Sequence, residues 1–310
     1  MHRSITGIVA AAIAMLTLTV LHERVYGQEM PAEYAEVLAY LGRAGDFKEK
    51  VLKVNIPRND LSVTVDGVAT PTPFGFGGWL GMTKGDKSLE VMMGDLVLLE
   101  DEVNPVMSAL LDNGIEATAL HNHFFWEEPR IFYLHVHGHG KATDLAHSVK
   151  PALELIGKLK SRSGAMTGKQ AAQDSKLDAA KLARIIGRPL EQAGSVHKVT
   201  IGRDDVAVSE MGAAINARMG LNSWAAFVGS DESAAIAGDV AMLEDEVTPV
   251  VKALRANGLN VVAIHHHMIG SRPLIIFLHY WGKGPAEKLA TGFKAAISEL
   301  GKGKDAMKEK

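Results

Sequence analysis

The sequence contains no cysteine. Disulfides, thiolate metal sites, thiol nucleophiles and a lipid anchored on cysteine are therefore excluded. Any metal must be held by nitrogen and oxygen donors, with methionine sulfur the remaining soft option. A basic excess is missing too: 33 Lys and Arg stand against 36 Asp and Glu, a formal charge of −3 with no basic tract. Nucleic-acid binding normally rests on a basic stripe, so no nucleic-acid partner is expected. There is no G-x-x-x-x-G-K-[ST], no strand-linked G-x-G-x-x-G, no G-x-S-x-G and no H-E-x-x-H. These absences weigh against a nucleotide site and against the common hydrolases. "PFGFGG" at 73–78 reads only as a flexible glycine loop, and "HNH" at 121–123 carries no nuclease inference. Beyond the N-terminal segment, no apolar run is long enough to span a bilayer.

What is present suits a globular chain. With 310 residues, 47% of them hydrophobic and 22% charged, it is long enough for one large or two ordinary domains. His2 and Arg3 precede the apolar run "ITGIVAAAIAMLTLTVL", and polar residues follow. That order reads as a secretory signal peptide over 1–27, with Val25 and Gly27 before a cut near Gln28. The alternative is an uncleaved N-terminal anchor. Export predicts a periplasmic or secreted protein with no stable membrane span after cleavage.

The chain is duplicated. "GDLVLLEDEVNPVMSALLDNGIEATALHNH" (94–123) aligns without a gap to "GDVAMLEDEVTPVVKALRANGLNVVAIHHH" (238–267), and 29 of the 65 positions from Gly94/Gly238 to Lys158/Lys302 are identical. Upstream, "LGRAGDFKEKVLKVNIPRND" pairs with "IGRPLEQAGSVHKVTIGRDD", and Trp79 pairs with Trp224. The expected layout is a first repeat over 28–160, a polar linker over 161–179 and a second repeat over 180–310. Within each repeat, "VLKVNIPRNDLSVTV", "WLGMT" and "LEVMMGDLVLL" read as strands. "DEVNPVMSALLDNG" reads as a helix, with Asn104 (Thr248 in the second copy) as N-cap, Pro105 in the first turn and Asn113-Gly114 as the stop. "IEATALHNHFF" and "RIFYLHVHG" read as two further strands before a closing helix. The β-α-β-β-α order predicts an α+β fold in two tandem repeats, each an antiparallel sheet with helices on one face.

Strand parity gives the histidines meaning. His121 and His123 share one face of their strand, and His135 and His137 share a face of the next. If His121 faces His135 in a hairpin, the four lie on the side away from the helices, while Leu120, Phe132, Leu134 and Val136 point toward the helices. In the second copy His265, His267 and His279 take the places of His121, His123 and His135, while Trp281 replaces His137. A three-imidazole set therefore occurs twice, with His137 as a fourth ligand in the first copy only. Three imidazoles suit zinc above all, which often leaves a fourth position for water, and copper or nickel accept the same donors. The structural alternative is a hydrogen-bonded or stacked polar face. His139, His147 and His266 read as peripheral.

The acids of "EDEV" (100–103 and 244–247) have a plain role at a helix start, where carboxylates favour the dipole. A functional role would make Glu100 and Glu244 general bases beside the histidines. Three functions remain open: a divalent-metal binder, a metal-dependent hydrolase of the cell envelope, and a non-catalytic envelope module holding a small molecule among Phe124, Phe125, Trp126, Tyr133 and Trp281.

Through "LEDEVNPVMSALLDNGIEATALHNH" and "EEPRIFYLHVHGHG" the chain resembles the LppY/LpqO family of bacterial envelope proteins, over nearly all of the mature sequence and in both copies. The resemblance implies export and one fold for the two copies, and it implies no particular activity. Lacking cysteine, this chain departs from the lipoprotein anchor of that family.

Overall fold

The strands at the centre of each repeat are apolar on both faces, so each must be covered from two sides. In the computed structural model, residues 28–158 and 175–302 are described; the expected signal segment and most of the expected linker lie outside them. In the first copy, helix α1 (Ala32–Leu41) precedes strands β1 (Gly45–Lys48), β2 (Val51–Pro57), β3 (Val63–Val65), β4 (Val68–Thr70), β5 (Gly77–Lys84) and β6 (Glu90–Leu99). Then follow α2 (Glu100–Asp112), β7 (Glu116–His121), β8 (Glu127–Glu128), β9 (Ile131–Gly140) and α3 (Ala142–Leu153). The second copy repeats the order with α4 (Ala179–Ile186), β10 (Glu191–Ala193), β11 (Val196–Gly202), β12 (Val208–Glu210), β13 (Ala213–Ile215), β14 (Asn222–Gly229) and β15 (Ala234–Met242). It ends with α5 (Val247–Ala256), β16 (Asn260–His265), β17 (Ile276–Gly284) and α6 (Ala286–Ile297). The fold is α+β, and each copy holds a six-stranded antiparallel sheet, ordered β1-β2-β5-β6-β9-β7 and β10-β11-β14-β15-β17-β16.

One face of each sheet packs on its own helices. Leu52, Leu80, Leu96 and Leu134 meet Val106, Leu110 and Val149 in the first copy, and Phe227, Ile236 and Leu278 meet Val250, Leu254 and Phe293 in the second. The other faces pack against each other, giving four layers: helix, sheet, sheet, helix. This inner packing has two apolar patches. Val63, Phe74, Phe124 and Tyr133 of the first copy close on Ala226, Ala235 and Trp281 of the second. Val208, Met219, Met268 and Phe277 of the second copy close on Val51, Val91 and Met93 of the first. The patches exchange equivalent residues of the two copies, as a local twofold relation requires. The sheet cores are tight at their centre: a Cβ on Gly94 of β6 would lie 2.7 Å from the Trp79 carbonyl oxygen and 2.5 Å from Leu80.

Several local expectations need correction. The helix begins at Glu100, so Asn104 lies inside it, and Pro105 is internal rather than in the first turn. The capping group is the third acid of the run: Glu102 accepts the Leu99 N–H at 2.8 Å, and Glu246 accepts the Leu243 N–H at 2.7 Å. The same two carboxylates anchor a buried cation. Arg58 donates to Glu102 at 2.6 Å, to Asp60 at 2.9 Å and to the Val97 carbonyl at 2.8 Å. Arg203 repeats this with Glu246 at 2.7 Å, Asp205 at 2.9 Å and the Ala241 carbonyl at 2.6 Å. Strand β7 stops at His121, leaving His123 beyond its end. Its register pairs His121 with Tyr133 and His135 with Ala119, not His121 with His135. Leu120 does not reach the helical core, because β7 is an edge strand and the side chain is exposed. "PFGFGG" is not a free loop either: Phe74 and Phe76 are buried against the second copy, and Gly77 and Gly78 open β5.

Arg58 is 2% exposed and Glu102 1%, and losing one partner of such a pair strands the other. Glu102→Ala is expected to destabilise the fold by about 3–5 kcal/mol, read from urea denaturation midpoints. Glu100→Ala, at an exposed position, is expected to stay within about 0.5 kcal/mol.

Candidate metal centre between the two sheets

Imidazoles placed on the face away from the helices now meet the equivalent face of the other copy. His121 of β7 and His265 of β16 stand opposite each other with ring centroids 3.8 Å apart. His123 stacks on His279 at 3.6 Å, and His267 stacks on His135 at 3.9 Å, which is the same contact with the copies exchanged. Tyr133 and Phe277 back the outer rings, at 3.2 Å from His123 and 3.3 Å from His267. The two separate three-histidine sites expected from the repeat are thus one six-histidine cluster. Two triads within it bring one donor atom each to within 4.8 Å of the others: His121, His135 and His265, and His121, His123 and His279. Both triads mix the copies, and both use His121.

The cluster is dry. His123, His135, His267 and His279 are between 2% and 8% exposed, and His121 and His265 are half-buried. Burial therefore holds their protons off. His121 is lowered to about 4 by desolvation, His265 to about 2 by desolvation and then by the charge His121 would carry, and the other four lie well below the usual imidazole range. Backbone contacts orient several rings. His121 Nδ1 lies 3.4 Å from the Asn122 carbonyl, His279 Nδ1 lies 3.4 Å from the Gly238 carbonyl, and His135 hydrogen-bonds the Gly94 backbone. A ring whose Nδ1–H faces a carbonyl presents a bare Nε2 lone pair, the arrangement typical of a metal-bound histidine. The Nε2 atoms of all six histidines are buried without a hydrogen-bond partner among the described residues, where such groups normally find one. Donors within 4.8 Å of one another are comparable with the roughly 3.4 Å between nitrogens on one tetrahedral zinc. The residues fit a metal ion.

Carboxylates reach the cluster from β6 and β15. Asp95 pairs in register with His135, and Asp239 with His279. Asp239 Oδ2 lies 3.9 Å from His267 Nε2, and its Oδ1 accepts the Leu278 N–H at 3.2 Å. Burial pushes Asp95 up to about 8 against the pull of Lys53, and lifts Asp239 well above the carboxylate range.

The remaining candidates lie elsewhere. His137 is not brought to the cluster: its Nε2 is 3.2 Å from Glu210 of the second copy and its Nδ1 3.6 Å from Glu116. Its place is explained by the twofold relation, since Trp281 occupies the equivalent position in the other patch. Glu100 and Glu244 are exposed at their helix starts and line no part of the cleft above the histidines. A general base drawn from those two finds no support in this geometry. Phe124 and Trp281 are packed in the apolar patch, while Phe125 and Trp126 are exposed.

A cleft of about 830 Å³ leads to the histidines between the sheets. His123, His135, His267 and His279 form its floor with Asp95 and Asp239, while Lys53, Trp79, Lys198 and Trp224 stand on its walls. Sequence reading missed both lysines and both aspartates as site residues. The signal was available: each pair is identical between the copies and lies on strands, and parity places Lys53 with Asn55 on one face of β2.

Two stretches, 35–155 and 180–299, match the family described as Domain of Unknown Function (DUF1259). No curated protein matches the chain. Among solved structures, EtuB from Clostridium kluyveri aligns with 83% of this chain and 90% of its own at 10% identity and a TM-score of 0.19. The trimeric bacterial microcompartment shell protein PduB aligns with 82% and 90% at 13% identity and a TM-score of 0.20.

The buried imidazoles set a pH dependence for protein stripped of metal. Their unfolded pKa is near 6.5 and their folded values lie lower, so below about 6.5 the unfolded chain binds protons that the folded cluster refuses. Each contributes a loss of up to about 1.4 kcal/mol per pH unit as pH falls. Asp95 and Asp239, raised in the fold, act in the opposite sense, but six histidines outweigh two aspartates. Chelator-treated protein is expected to show falling urea midpoints from pH 7 to pH 5, with a shallower fall in His265→Gln.

Proposed function

The chain belongs, in both of its copies, to the family described as Domain of Unknown Function (DUF1259), and on that premise we propose that it binds one divalent metal ion in a centre shared by the copies. The supporting observation is the convergence of imidazoles from both sheets, each with a buried, unpartnered Nε2, into two triads that share His121. Donors that are all imidazole nitrogen favour zinc, then copper or nickel, over magnesium or calcium, which prefer oxygen. His121, His135 and His265 are the first ligand set, and His121, His123 and His279 the second. Because His121 turns its Nδ1 toward a backbone carbonyl, it offers one nitrogen, so the triads are alternatives. When bound, the ion would supply positive charge at the floor of the cleft. Neutral imidazoles receive it, and Asp95 and Asp239 lie behind them to compensate charge.

The setting we infer is the periplasm or the exterior. It is supported by the signal-like N-terminal segment and by the resemblance to LppY/LpqO envelope proteins. No helix among the described residues is long and apolar enough to cross a membrane.

Elemental analysis of the mature protein is expected to find about one zinc per chain, not two. His121→Ala in one copy, and the double variant His265→Ala/His279→Ala in the other, are each expected to weaken zinc binding by at least about tenfold in a competition titration. Two ions per chain, or a His265→Ala/His279→Ala protein that binds like the parent, would rule out a shared centre.

A further inference from the structure

The walls of the cleft present a second recognition chemistry that the metal reading does not use. Lys53 of β2 and Lys198 of β11 occupy equivalent positions in the two copies, and both line the cleft. Each ammonium lies over a tryptophan of its own sheet, Lys53 at 4.5 Å from the Trp79 ring and Lys198 at 4.2 Å from Trp224. Neither makes a hydrogen bond or an ion pair among the described residues. Arg218, the other cation at the cleft, is already taken by Asp46 at 2.6 Å. The two lysines are half-buried, and burial lowers both to about 8, with Lys53 lowered further by the nearby charge of Lys198. Two partly desolvated ammonium groups facing one space repel each other until an anion stands between them. Asp95 and Asp239 line the same cleft, but neither makes an ion pair with either lysine among the described residues. The volume of about 830 Å³ is that of a small-molecule site.

We propose that the cleft binds a small oxyanion-bearing molecule, its carboxylate or phosphate group held jointly by Lys53 and Lys198 and its uncharged body resting against Trp79 and Trp224. The arrangement supplies what such a ligand needs: two charge-assisted donors at the anion, and ring faces that bury the rest. Gly77 leaves open space beside this path, where a Cβ would meet nothing within 4 Å. The site rests on residues outside the histidine cluster, so it stands independently of whether a metal is bound.

Tryptophan fluorescence of the chelator-treated full chain, titrated with inorganic phosphate and with malonate against sodium chloride at equal ionic strength, tests this. A saturable change with one or both anions at millimolar concentration is expected. Preference for one anion assigns the phosphate or the carboxylate as the group recognised. Lys53→Met/Lys198→Met is expected to weaken that response by at least about tenfold while keeping its urea midpoint. A measurement needing no variant backs this up: the bound anion should slow acetylation of Lys53 and Lys198 by acetic anhydride, followed residue by residue by mass spectrometry. His121→Ala, impaired in metal binding, should respond to the anions as the parent does. No saturable response to either anion, a response unchanged in the double lysine variant, unprotected lysines, or a response that appears only with added zinc would each overturn the proposal.

Discussion

Six neutral imidazoles pressed between two sheets are the constraint on which the rest of this molecule depends. Buried ring nitrogens are tolerable only when uncharged and positioned, and both conditions are met from outside the cluster. The outer helices cover the far face of each sheet, the backbone carbonyls of Gly94 and Gly238 lie beside the rings of His135 and His279, and apolar patches flank the cluster on either side. The buried Arg58–Glu102 and Arg203–Glu246 pairs tie each central strand to the helix that follows it. The third acid of each "EDEV" run thus serves the scaffold, while the chemistry sits one layer inward.

The twofold relation organises the inner layer, and its departures are as informative as its agreements. Lysines, tryptophans, aspartates and six histidines agree. One pair of ends does not. In one patch Trp281 packs edge-on to Phe74 at 5.9 Å and Phe124 at 5.7 Å. In the other, His137 stands in the place of Trp281 and meets Glu210, which stands in the place of Val65. An apolar contact at one end corresponds to a polar one at the other, and the burial that suits Trp281 pushes Glu210 up to about 7.

Much of this was legible in the sequence, and the limits are physical. The repeat, the strand order and the outward helices follow from periodicity and alignment. So does the placement of His121, His135, His265 and His279 away from the helices, because alternation along a strand decides a side chain's face. Alternation does not say what covers that face, and there the reading by copies failed: His121 finds His265 rather than only its own hairpin partners. The expected pairing of His121 with His135 failed because the register sets His121 opposite Tyr133, two residues away; the irregularity between Ala117 and Ala119 is what keeps His121 on the same face as His135. His123 was placed on a strand that ends two residues earlier. Lys53 and Asp95 were passed over because each looks ordinary alone and gains meaning only beside its counterpart across the cleft.

The exchange of contacts between the patches has a historical reading. One copy, paired with a second identical copy about the same axis, would already contain every imidazole, ammonium and indole that the cleft displays. Joining the copies in one chain adds none of these groups. It adds the freedom for the halves to differ, because a substitution then appears once rather than on both sides of the axis. His137 and Trp281, with Glu210 and Val65, mark where the chain has used that freedom, leaving the centre of the cleft symmetric and its flanks individual.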